Sequence, residues 1–125
     1  MKGEITIDDF QKVDIRIGTV VKAEVPKWSH WVIKLTVDLG EEIGERIIFS
    51  GIMKFYDVAD IGGKQFPFIV NLKPKKIGPE GDFSEGMMIM ACPPVAESEG
   101  GPSQEEIKPV LFSLPDSVPN GTKVS

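Results

Sequence analysis

With 125 residues and 41% apolar side chains, the chain is sized for one domain spanning 1–125 that buries its own core without disulfide or metal staples. Fourteen basic against nineteen acidic side chains give a net charge of −5, which excludes holding a polyanion by overall charge and leaves only a local patch for such a role. The single cysteine, Cys92, excludes an internal disulfide; no apolar run approaches the ~18 residues of a membrane span, and Met1-Lys2-Gly3-Glu4 leads into no apolar signal segment. The expected setting is the cytoplasm, with no membrane contact.

Residues 4 to 12 read as a short helix, with Thr6 as N-cap, Asp9 as its capping-box partner, and Ile5 and Phe10 at the staple positions. So short a helix must dock on something, either its own domain or a second subunit. From Val13 to Val25 the period changes to two, with Val13, Ile15 and Ile17 alternating with Asp14 and Arg16. Gly18 and the adjacent pair Val20-Val21 predict a bulge that bends this long strand. After the connection Trp28-Ser29-His30-Trp31, a second strand places Trp31, Ile33, Leu35 and Val37 on one face and Lys34 on the other. Alternation alone leaves Trp31 equally readable as core or as loop surface, whereas Trp28 is the better candidate for stacking.

Arg46 to Ser50 is the third strand, residues 53 to 63 suit an irregular helical connection, and Phe66 to Val70 is the fourth strand. A fifth runs from Met87 to Cys92, with Cys92 expected as a small core hydrophobe. Residues 93 to 106, with three prolines, two glycines and four glutamates, predict an exposed acidic loop, and Val110 to Leu114 a last short strand. This order of short strands, with a helix between the third and fourth, predicts an all-β, five-stranded Greek-key barrel of the OB-fold kind.

Nothing in the sequence argues for catalysis. His30 and Cys92 lie in different contexts, too few for a zinc site and too far apart for a nucleophile–base pair, and the glycines show no phosphate-loop spacing. Positive charge, by contrast, is concentrated. Residues 61 to 79 carry Lys64, Lys73, Lys75 and Lys76 and no carboxylate. In a barrel of this kind the loops after the first and fourth strands meet the face of the second and third. That brings Trp28, His30 and Trp31, the lysines, and outward-facing Lys34 and Arg46 to one surface, where aromatics would stack on bases and cations would meet phosphate.

The combination Ile7-Asp8-Asp9-Phe10, Val13 to Gly18, Ile33-Lys34-Leu35, Ile47 to Ile52, Asn71-Leu72-Lys73-Pro74-Lys75-Lys76, Ser84-Glu85-Gly86-Met87 and Pro119-Asn120-Gly121-Thr122 resembles the tRNA-binding OB-fold domain. That domain is found appended to methionyl-tRNA synthetases, free-standing, in the endothelial monocyte-activating polypeptide proteins and in CsaA-type export chaperones. The resemblance implies a non-catalytic protein without cofactor that holds the outer corner of tRNA by shape. It would act alone or as a beta subunit of a methionyl-tRNA synthetase. The implied contacts are Lys34, Arg46, Ser50, Asn71, Lys73, Lys75, Lys76, Ser84 and Met87. The resemblance also implies a homodimer joined through the N-terminal helix, here Ile5, Ile7 and Phe10, and the C-terminal segments. The departures are Trp31 where relatives often carry lysine, the longer acidic linker 78–82, and the acidic 93–106 loop. The alternative is a CsaA-like chaperone with Trp28, Trp31 and Phe55 in a polypeptide groove.

Overall fold

The computed structural model describes residues 1–94 and 107–125, together with the backbone of 97–98 and 101–102. Most of the predicted 93–106 loop therefore lies outside the described residues.

Thr6, in extended backbone, accepts a hydrogen bond from the Asp9 N–H at 3.1 Å, and the Asp9 carboxylate accepts one from the Thr6 N–H at 3.4 Å. This reciprocal capping box starts α1 (Ile7–Gln11), shorter than the predicted span. The helix stops because Asn71 captures the chain beyond it: its Nδ2 donates to the Lys12 carbonyl at 2.6 Å and its Oδ1 accepts from the Asp14 N–H at 2.8 Å.

The strands are β1 (Ile15–Glu24), β2 (Ile33–Asp38), β3 (Glu45–Ser50), β4 (Gln65–Ile69), β5 (Lys75–Ile77), β6 (Asp82–Ser84), β7 (Met87–Met88), β8 (Met90–Ala91), β9 (Glu97–Ser98), β10 (Gly101–Pro102) and β11 (Val110–Leu111); α2 (Val58–Ile61) joins β3 to β4. An antiparallel sheet in the order β3-β2-β1-β4-β7 curls into a nearly closed barrel. The predicted bulge is present in β1, where Val20 pairs with Val37 and Lys22 with Thr36, leaving Val21 unpaired. Gly18 has a different role. A Cβ there would sit 2.6 Å from the Val37 side chain and 2.7 Å from that of Leu39, so glycine is what lets β1 pass tightly over β2. Ile33, Leu35, Val37, Ile48, Val20 and Phe68 are fully buried inside.

Between β3 and the 84–86 segment, one backbone and two side-chain hydrogen bonds bridge the gap. The Glu85 N–H donates to the Ile47 carbonyl at 2.8 Å, the Ile47 N–H to Glu85 Oε1 at 3.1 Å, and the Phe49 N–H to Ser84 Oγ at 3.0 Å. Residues 121–124 line the open edge of β1: Gly121 N–H donates to Ile17 O at 2.7 Å, Ile17 N–H to Thr122 O at 2.9 Å and Val124 N–H to Ile15 O at 2.9 Å. Arg16, which alternation assigns to solvent, is instead buried there. Its Nε donates to Asp14 Oδ1 at 2.6 Å, and its Nη1 to Glu42 Oε2 and the Gly121 carbonyl, both at 3.1 Å. The hydrogen bonds to Asp14 first, then Glu42, raise its pKa above the ordinary arginine value, so it stays charged at every accessible pH.

Two strand expectations are corrected, and the open reading of Trp31 is decided. Cys92 is exposed and lies outside the strands, because the predicted fifth strand divides into β7, paired with β4, and β8, paired with β11. The strand predicted over 110–114 is limited to β11. Trp31 is not core. Ser29 Oγ accepts from the N–H of Trp31 at 3.2 Å and of Val32 at 2.9 Å, and this turn uncouples Trp31 from the alternation that begins at Ile33.

Candidate nucleic-acid interface

The lysine segment is not a simple loop. Lys75 and Lys76 lie in β5, which pairs with β6 around the turn 78–81, so that Lys75 faces the same side as Ser84, Ile77 the same side as Asp82, and Lys76 the opposite side with Phe83. Among the described residues, Lys73, Lys75 and Lys76 are exposed and form no ion pair. The side of the hairpin carrying Lys75 overhangs β3 and encloses a groove of about 490 Å³. Val32, Phe49, Leu72 and Ile77 give it an apolar lining, while Trp31, Met87, Lys73 and Lys75 also border it. Trp31 is 50% exposed and Met87 47%.

The implied contact residues divide into two sets. Lys73, Lys75 and Met87 come together at the groove, and Lys76 projects from the other hairpin face. Lys34 lies on the outer face of β2 as expected, but its Nζ is 3.9 Å from the Glu24 carboxylate. Of the remaining polar members, Arg46, Ser84 and Asn71 are engaged internally and Ser50 is buried. Arg46 is not outward: it pairs with Val37 on the inward register, and its Nη1 donates to the Val70 carbonyl at 2.9 Å and the Glu85 carbonyl at 3.3 Å. Ser50 pairs with Ile33 on that same side and is 5% exposed, with no hydrogen-bond partner for its hydroxyl among the described residues. Ser84 is buried and donates to the Gly86 carbonyl at 3.1 Å while accepting from Phe49. Asn71 uses both ends of its amide to hold residues 12–14.

The two tryptophans exchange their expected places. Trp28 is half-buried, edge-on to Trp31 with centroids 5.9 Å apart and tilted on Phe49 at 6.1 Å. Gly78 covers it: at φ +74° only glycine is at ease, and a Cβ there would lie 2.5 Å from the indole ring. Trp31 is therefore the open aromatic face. Sequence reading missed the apolar lining of the groove, Leu72 and Ile77 in particular, although both flank the lysines in sequence. Ile5, just before α1, and Ile7 and Phe10 within it are all exposed, so this end of the chain shows an apolar surface that the described residues do not cover.

Among the described residues, no helix is long and apolar enough to cross a membrane, and no group of three or more His, Cys, Asp or Glu could hold a metal. Residues 15–123 match the family model described as "Putative tRNA binding domain". The methionine–tRNA ligase of Clostridium tetani is 37% identical over 98% of this chain, which spans 17% of that ligase's length. The structure of a MetRS-related protein from Pyrococcus horikoshii superposes with a TM-score of 0.78 and 38% identity, covering 99% of this chain and 100% of that one. The chaperone CsaA from Bacillus anthracis gives a TM-score of 0.78 with 32% identity, covering 98% and 100% respectively. With a nearly closed barrel, an open cationic groove and a match running from β1 through residue 123, the chain belongs to the tRNA-binding domain family.

Proposed function

We propose that this chain is a binding module without chemistry of its own that holds folded tRNA in the cytoplasm. Lys73 and Lys75 would meet the phosphate backbone, and Lys76 and Lys34 would extend the contact. The observation that carries this reading is a pair of exposed lysines on a groove rim, without ion pairs among the described residues, in a chain of net charge −5. Local charge of this kind selects a polyanion by position rather than by sequence. Its likeness to methionine–tRNA ligases and to a free-standing MetRS-related protein supports service to such a ligase, as a separate subunit or as a module. Anisotropy titration with labelled bulk tRNA tests the proposal: binding should weaken steeply with salt, with a log–log slope of roughly −1.5 to −2.5 per subunit. A salt-independent affinity, or none at about 50 mM salt, overturns it.

A homodimer is part of the proposal. Ile5, Ile7 and Phe10 leave apolar surface exposed at α1, and Phe10 also lines a concavity of about 460 Å³ formed with residues 11–16, Asn71 and 123–125. Phe10→Asp would bury a charge in both copies of a symmetric contact and should give a monomer by light scattering. A persistent dimer places the interface elsewhere.

A second reading has one observation in its favour. A cleft lined by Trp31, Phe55, Met90, Ile107 and Pro109 adjoins the lysine groove through Trp31 and Gly51, giving apolar surface suited to polypeptide. An aggregation-protection assay run beside the tRNA titration separates the two readings.

A further inference from the structure

We infer that the groove beneath the β5–β6 hairpin receives one unstacked nucleobase of the bound RNA, with Trp31 as its stacking face. This rests on the RNA-binding reading above and goes beyond backbone contact. Trp31 is half-exposed yet fixed. Ser29 Oγ anchors the N–H groups of Trp31 and Val32, and Trp28 braces the ring edge-on at 5.9 Å. Trp28 is itself immobilised between Phe49 and the Gly78 turn. An aromatic held this way loses little freedom on binding, which favours it as a platform.

The groove beside it, at about 490 Å³, falls within the ~300–1,000 Å³ of small-molecule clefts. It has an apolar floor, Val32 and Phe49, and a cationic rim, Lys73 and Lys75. A nucleotide carries the matching pair of features, a flat π-surface and a phosphate anion a few ångströms away. An apolar peptide would fill the floor and leave both lysines without a counter-charge. The carboxylate on that hairpin face, Asp82, stands opposite Ile77, two pairs nearer the turn than Lys75. Stacking accepts any base, so the inference requires an exposed, unstacked base and not a particular sequence.

The test uses the full chain with Trp28→Phe, which keeps an aromatic brace and leaves Trp31 as the only tryptophan. Titration with bulk tRNA at about 50 mM salt should quench Trp31 emission along the same curve as the anisotropy of labelled tRNA. A fully paired RNA duplex should bind through the lysines without quenching. Trp31→Ala should weaken tRNA binding roughly ten- to hundredfold with the salt slope unchanged, and Trp31→Phe should recover most of the loss. Binding by Trp31→Ala within about twofold of the parent, or tRNA binding without quenching, overturns the inference and leaves the RNA reading standing. Absence of tRNA binding by the parent chain overturns the RNA reading itself. Quenching by an unfolded polypeptide but not by tRNA assigns the groove to polypeptide and overturns the inference.

Discussion

The same two sequence motifs supply two regions with opposite uses of polar side chains. In the barrel clasp, Asn71, Ser84 and Glu85 of those motifs, joined by Arg46 of β3, each satisfy a backbone group that the curled sheet would otherwise leave open. In the groove, Lys73, Lys75 and Met87, a few residues away in the chain, have no side-chain polar partner among the described residues and are exposed. A motif here is not a contact surface. Part of it builds the wall and part of it is displayed on the wall, and the two are told apart by where the hydrogen bonds go. Loss of a clasp residue should therefore appear as lost stability, and loss of a groove residue as lost affinity.

The largest effect expected from that division is at Arg46. Arg46→Met removes two charge-assisted hydrogen bonds to carbonyls and should destabilise by about 2–3 kcal/mol in urea unfolding, with tRNA affinity of the folded protein within about threefold. A tenfold affinity loss at unchanged stability would move Arg46 from the clasp to the interface. Ser84→Ala orphans the buried Phe49 N–H and should cost about 1–3 kcal/mol, again with little change in binding.

On the groove side, Lys73→Ala with Lys75→Ala should make the salt slope shallower by roughly 1–2 while stability stays within about 0.5 kcal/mol. Lys76→Ala, on the opposite hairpin face, should do less than Lys75→Ala alone; equal effects would mean that RNA wraps both faces. The smallest effect belongs to the acidic turn. Glu80→Gln with Asp82→Asn should tighten tRNA binding by about two- to fivefold at low salt, a gain that disappears as screening rises. A gain independent of salt would make the turn a spacer rather than a charge.

How much of this was legible depends on whether local pattern or distant contact decided the position. The capping box at Thr6 and Asp9 and the bulge near Val20-Val21 are local, and both stand in the structure as read. The facing of Arg46 was not legible, because Ile47, Ile48 and Phe49 are three apolar residues in succession and permit either phase of alternation. The β5–β6 hairpin was hidden since its strands are short, and β5 contains two lysines. The exchange between Trp28 and Trp31 follows from two features that alternation cannot express: the Ser29 turn and the passage of Gly78 over the Trp28 ring. Fold was read from repeated weak signals that agree, whereas the groove depends on a few contacts distant in sequence.

The hydrogen bonds joining β1 to residues 121–124, with Arg16 donating to the Gly121 carbonyl across 105 positions, carry a consequence for how the molecule forms. The first half of β1 has β4 on one side and residues 121–124 on the other, so it cannot finish pairing until nearly the whole described sequence has been brought together. Loop closure must precede the contacts that reward it, which places this domain among slow, high-contact-order folders. During that interval the unpaired edge of β1, with Ile15 and Ile17 along it, is open to pairing with other chains. Synthesis rate and crowding should therefore influence the yield of this domain more than its final stability would indicate.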